Sequence, residues 1–274
     1  MRRFAQQKAG IIYSSPIKPS FLLLVQELRN REQRKQYEWA RLFFDDLGLK
    51  KLVIGTGANL YPFNFKDENM NFAGYEIDLC HALAKYLSVE VEFQDFATIP
   101  DMISALKENK IDLIASSIIV TEVRKKLVNF SAPYFENRLG IAVIGQNETS
   151  NIDDLDLPGV TIGVSLGSTG DTASQKYFKK ATIKSYRGHI PLEQAVFNQE
   201  VDAVIHDSAW LQHLKKQHGL RILDNNFHEP NLACIAVAKG NPVLLGVINT
   251  FIIQYIASDL QNQLYHKWFK EEVL

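Results

Sequence analysis

Two α/β lobes, each a mixed, mostly parallel sheet flanked by helices, with two hinge strands crossing between them, are the architecture this sequence predicts. Three observations carry that expectation. From residue 51 onward, short apolar or alternating runs of strand length recur between segments with helical spacing, the pattern of strand, helix, strand units. The same succession starts afresh near residue 160. The chain then closes on Ala233-Cys-Ile-Ala-Val237 and a long amphipathic stretch, expected to return to the first lobe.

In chain order, residues 1–20 are polar and basic with Pro16 and Pro19, and read as a loosely attached leader. A helix is expected over 25–47, stopped by Gly48. The first lobe opens with strand 52–55, then a helix from Gly74 with Ile77, Leu79, Ala82, Leu83 and Tyr86 at helical spacing. Strand 89–93, a helix over 100–109, strand 111–115 and strand 139–144 follow. The second lobe repeats the theme with strand 160–164, helix 169–180, strand 182–186, helix 191–199 and strand 201–205. One helix over 242–268 ends the chain. The expected division is therefore a leader and helix over 1–50, a first lobe over 51–136 and 236–274, and a second lobe over 137–235.

Composition narrows the function. The 274 residues carry a formal net charge of -1, which gives no general attraction for nucleic acid or an anionic membrane. Ten of the 30 Lys and Arg lie in residues 1–50 against five acids, so the front is basic and the body acidic. The two cysteines, Cys80 and Cys234, make no disulfide framework and lack metal-site spacing; they read as small buried apolar residues, with a single bridge left open. Neither Gly10-Ile-Ile-Tyr13 nor Phe21-Leu-Leu-Leu-Val25 is long enough for a standard signal segment, and no run is long enough to span a bilayer. The expectation is a soluble chain of open compartment.

A set of motifs in fixed order resembles one family. These are Leu52-Val-Ile-Gly-Thr56, Tyr61-Pro-Phe63, Gly74-Tyr-Glu-Ile-Asp-Leu79, Lys110-Ile-Asp-Leu-Ile114, Thr121-Glu-Val-Arg124, Val128-Asn-Phe-Ser-Ala-Pro-Tyr134, Leu166-Gly-Ser-Thr169 and Val201-Asp-Ala-Val-Ile-His-Asp207. Together, over residues 51–269, they resemble the amino-acid-binding proteins of bacterial ABC importers, solute-binding family 3. The resemblance implies a type II periplasmic-binding-protein-like fold, an amino-acid ligand in the interlobe cleft, transmembrane permease subunits as partner, a monomer, no cofactor and a periplasmic location.

The chemistry of such a cleft can be argued from the residues. A free amino acid brings a carboxylate and an ammonium, and both need partners once water is excluded. Arg124 offers a planar fork for the carboxylate. Ser168 and Thr169 follow Gly167 and open a helix, where unpaired amides favour an anion; a plain helix cap is the other reading. Asp207 sits just past a strand end, where open α/β sheets bind ligands. The resemblance gives Asp207 to the ammonium, with Ser116 and the Ser117 carbonyl as first-lobe partners. It also places Ile119 where many members carry a hydroxyl, Leu60 and Ile99 where they carry an aromatic pair, and Gly57 where basic-ligand sites carry an acid. That apolar wall, with Tyr61 and Asn59 as further contacts, implies a neutral ligand side chain.

Three other readings compete. A dehydratase on this fold would recruit Asp207 or His206 as general acid. A sensor would bind an amino acid without feeding a transporter. A metal site from His206, His213 and His218 fits no ligand spacing, and solvent-facing helical histidines are the expectation. Residues 163–170 imitate a phosphate loop but lack its lysine and spacing.

Overall fold

A computed structural model describes residues 50–145, 149, 151–224, 227 and 230–269. The basic leader and the helix expected over 25–47 lie outside them. The chain runs through β1 (Lys51–Thr56), a small sheet of β2 (Asn59–Leu60), β3 (Asn64–Lys66) and β4 (Phe72–Ala73), helix α1 (Tyr75–Leu87), β5 (Glu90–Asp95), α2 (Ile99–Lys107), β6 (Leu113–Ile119), the single turn α3 (Glu122–Lys125), β7 (Val128–Phe130) and β8 (Phe135–Asn137). It then forms β9 (Leu139–Val143), β10 (Thr161–Ser165), α4 (Thr169–Tyr177), β11 (Thr182–Tyr186), α5 (His189–Phe197), β12 (Ala203–Asp207), α6 (Ser208–His218) and β13 (Arg221–Leu223). Finally β14 (Asn231–Ala238), α7 (Pro242–Ile256) and α8 (Asp259–Phe269) close it.

The first lobe is built on a sheet of order β5-β1-β6-β14-β7, with β8 also on β14, and the second on β11-β10-β12-β9-β13. Each sheet repeats one plan. Its first three strands are parallel and its last two join antiparallel. Parallel strands buried on both faces need continuous apolar sequence. Accordingly β6 and β12 are buried at every residue, while the outer strands β5 and β11 are mostly exposed or half-buried.

Two expectations change. All of β14 belongs to the first sheet, pairing with β8 through residues 231–233, so that sheet takes up the chain at 231 rather than at 236. The terminal helix is two helices, bent by 78°. The break falls at Ala257-Ser258-Asp259, where the Ser258 hydroxyl donates to the Tyr255 carbonyl at 2.7 Å and Asp259 opens a new first turn. The bend brings Phe269 back onto Phe135, with ring centroids 5.0 Å apart, and against Tyr75 and Phe63. Aromatic residues thus form the heart of the first lobe, where Tyr255 also donates its hydroxyl to that of Tyr75 at 2.8 Å. Cys80 and Cys234 are both buried as free thiols.

Gly74 seats α1 on this core. Its φ is 127°, open to glycine alone without strain, and the next two amides donate to the carbonyls of Pro62 and Phe63 at 2.9 Å. A Cβ at Gly74 would stand 2.2 Å from the Phe63 carbonyl oxygen. Gly74→Ala is expected to cost at least about 2 kcal/mol in thermal unfolding, whereas Gly240→Ala, whose Cβ meets nothing within 4 Å, should leave the melting temperature unchanged.

Candidate ligand cleft

β6 does not run evenly beside β14. Ile118 and Ile119 face Cys234 and Ala233, and Ile114 and Leu113 face Ala236 and Val237, so residues 115–117 stand against Ile235 alone. The strand bulges there, and Ser117 takes a left-handed φ of 47°. A bulge frees backbone groups from the ladder and re-aims side chains. Ser116 and Ser117 consequently line a cleft between the lobes. The Ser117 N–H donates to the buried carboxylate of Glu76 at 2.6 Å, and the Ser116 hydroxyl accepts from the Gly57 N–H at 3.1 Å.

Arg124 lies in α3, whose first turn is capped by the Thr121 hydroxyl, accepting the Arg124 N–H at 3.2 Å. Its guanidinium is buried and donates to the Ile119 carbonyl at 2.8 Å and, across the cleft, to the Gly167 carbonyl at 2.9 Å. Burial pulls its pKa down to about 10 while Asp207 raises it, so it remains a cation at neutral pH. Three of its five N–H groups are left for other acceptors.

Asp207 ends β12 and occupies the cap position of α6, but its carboxylate makes no capping hydrogen bond. Asp207 is therefore not held in place as a helix cap. Burial pushes its pKa up to about 7, Glu76 adds to the rise, and Arg124 opposes it. Its own N–H donates to His206 Nδ1 at 2.8 Å. His206 packs on Trp210 and on His189, with centroids 4.3 and 4.8 Å away, and both histidines line the cleft. Burial holds His189 at about 4 and His206 well below its ordinary value, so both are neutral. His206 is thus a buried strand residue, not the solvent-facing helical histidine expected.

From the second lobe, Ser168 caps α4 by accepting the Asp171 N–H at 3.0 Å. Its hydroxyl is therefore used structurally; Thr169 and Gly170 line the cleft in the first turn of α4, where unpaired amides suit an anion. The wall consists of Leu60, Phe96, Ile99, Met102, Ile119 and Leu139. Phe96 supplies an aromatic ring close to the place where Ile99 was expected to leave none.

Asn59 and Tyr61 are not on that wall. Side chains alternate along a strand, so with Leu60 buried Asn59 points the other way, and Tyr61 follows in a turn beyond the strand. They reach the second lobe at the rim, where Asn59 Nδ2 donates to Glu193 at 2.9 Å and Tyr61 stacks on His213 at 4.2 Å. Arg187 also crosses to both carboxylate oxygens of Asp101, at 2.9 and 3.0 Å. The lobes are closed on one another, and the cleft encloses about 50 Å³. Small-molecule sites usually need about 300–1,000 Å³, so a ligand enters only when the rim parts.

Sequence reasoning did not single out Glu76, His189, Phe96 or the Gly167 carbonyl. Only Glu76 left a signal, an acid set directly before the apolar Ile77 face of a helix.

Two lobes that share one plan of parallel and antiparallel strands, connected twice and closing charged groups into a common cleft, define a two-lobed solute-binding protein. The pattern of bacterial extracellular solute-binding proteins, family 3, matches residues 52–271, and the chain belongs to that family. Among its relatives is the arginine-binding extracellular protein ArtP of Bacillus subtilis (strain 168), 41% identical over 161 residues, or 58% of this chain and 61% of that one. The match thus spans about three fifths of that relative's length. Among solved structures, the ancestral amino acid-binding protein AncCDT-1, a precursor of cyclohexadienyl dehydratase, superposes with a TM-score of 0.77 at 32% identity, covering 84% of this chain and 99% of that one. An ancestral arginine-binding protein bound to glutamine gives 0.74 at 36% identity, covering 80% and 98%.

The raised pKa of Asp207 has a consequence for stability. An acid whose folded pKa exceeds its unfolded one contributes stability below the unfolded pKa and loses it as pH rises through the folded value. Between about pH 4 and 7 the unligated fold should therefore lose stability through Asp207. Asp207→Asn is expected to melt higher than the wild type at pH 8, by about 2–4 °C for each kcal/mol recovered, and to show no advantage at pH 4 in the same calorimetric scan.

Proposed function

We propose that this protein binds a free amino acid between its lobes, outside the cytoplasmic membrane, and delivers it to the transmembrane subunits of an ABC-type permease. The observation that carries the reading is a buried cation and a buried, uncapped carboxylate lining one cleft. Arg124, with the amides of Thr169 and Gly170, takes the ligand carboxylate; Asp207, with Ser116 and Ser117, takes the ammonium. The ligand displaces the Gly167 carbonyl from Arg124, and its differential contacts with the closed form draw the lobes together. Closure, acting as a hinge on the β8 and β14 connections, presents the surface a permease reads. The protein acts as a monomer.

The ligand side chain meets an apolar wall and two neutral histidines. Apart from Asp207 no acid lines the cleft among the described residues, and Gly57 stands where an acid would pair a cationic side chain. Amino acids with neutral side chains are therefore favoured over arginine and lysine. Binding rather than turnover is supported by AncCDT-1, a binding protein that matches nearly its whole length to this chain.

A thermal-shift panel of the twenty free L-amino acids should give the largest rises with neutral side chains, since a cleft ligand at a hundredfold excess over Kd stabilises by about 2.7 kcal/mol. No rise with any of them would overturn the proposal. Arg124→Ala should weaken the best binder by about 2–5 kcal/mol, the cost of removing one member of a buried charged pair, in titration calorimetry.

The rim and the wall are separable. Tyr61→Ala is expected to lower affinity about threefold to tenfold and equally for every amino acid that binds, because it shifts closure rather than contact. Ile99→Ala should instead reorder the panel.

A further inference from the structure

The bulge in β6 creates a problem that Glu76 solves. Residues 115–117 have lost their places in the ladder, and the Ser117 N–H is buried. A buried donor must be paired. Glu76 is wholly buried in the first turn of α1; one carboxylate oxygen accepts the Ser117 N–H and the Tyr134 hydroxyl, and the other accepts the Asn64 amide at 2.5 Å. Burial pushes the Glu76 pKa up, and the three donors that converge on its carboxylate oppose that rise by favouring the charged form. Its hydrogen bonds thus hold the bulge, and its charge lies behind the part of the cleft formed by Ser116 and Ser117.

We propose that Glu76 is a positioning residue for recognition of the ligand's ammonium: it pins Ser117 in its left-handed conformation and adds a second buried negative charge, beside that of Asp207, which only a cationic group at that end of the ligand relieves. The inference rests on the amino-acid-binding reading and assigns its selectivity for the ammonium to a residue that does not line the cleft. The rise that Glu76 imposes on the pKa of Asp207, across the cleft, supports it.

The residue can be tested without removing its hydrogen bonds. In Glu76→Gln the side-chain oxygen can still accept from Ser117 and Tyr134, and Asn64, whose Oδ1 has no partner, can turn its amide to accept from the new NH₂ group. Only the charge is lost. The probes are the L-amino acid giving the largest thermal shift with the wild type and its des-amino carboxylic acid, which keeps the carboxylate and side chain. Titration calorimetry should show E76Q binding the amino acid at least about thirtyfold more weakly, a change of about 2 kcal/mol, with the des-amino acid changed less than threefold. Equal losses for both probes, or none for either, would overturn the proposal.

The double variant N64D/E76Q returns the carboxylate to the other side of the same hydrogen bond. It should recover most of the preference for the amino acid, and recovery of none counts against the assignment. Should E76Q not fold, the double variant read against the wild type carries the test in the same way. A wild type that binds no amino acid fails the functional reading itself, a result separate from either variant's.

Discussion

A guanidinium taken almost wholly out of water must find acceptors, and the closed arrangement of this protein follows from where Arg124 finds them. One is the carbonyl of Ile119 at the end of its own sheet; the other is the carbonyl of Gly167 in the opposite lobe. The second bond requires a close approach of the two lobes. Gly167 permits it, because a Cβ there would stand 2.8 Å from Pro100, and its φ of 72° turns the chain tightly into α4. The cation therefore does two things in one place. It holds the lobes together, and it is the group a carboxylate would claim.

Opposite it lies a carboxylate with no such accommodation. Asp207 is buried without a capping bond, and its pKa of about 7 measures the strain of keeping it charged. A cleft lined by one buried cation with N–H groups to spare and one buried carboxylate without a capping bond favours a ligand that carries both signs at short separation. The neutral histidines and apolar wall add shape without altering that balance.

Much of this was legible in the sequence. Arg124, Asp207 and the Gly167 turn stand at strand ends or helix starts, positions that the alternation of strand and helix marks out by itself, whereas the serine pair lies inside β6. What was illegible depends on where a side chain faces across space. Asn59 and Leu60 make a two-residue strand too short to announce its alternation, Tyr61 follows it in a turn, and only the second lobe shows what Asn59 and Tyr61 touch. The bulge in β6 was hidden because Ala115-Ser116-Ser117 reads as an ordinary strand end; its partner β14 lies more than a hundred residues away and sets the mismatch. The bend before α8 depended on a Ser-Asp pair inside an otherwise continuous apolar period.

The repeated strand plan also sets an order of dependence along the chain. The five strands of the second sheet all fall between residues 139 and 223, an uninterrupted stretch whose pairings close locally. The first sheet is different: β6, β7 and β8 all pair with β14. Until residues 231–238 arrive, the central strand β6 is an apolar edge, the kind that templates wrong pairing. During synthesis from the N-terminus the lobe that appears first is thus the lobe completed last, and shielding that edge until the polypeptide is nearly whole is a demand that the two-crossing topology itself imposes.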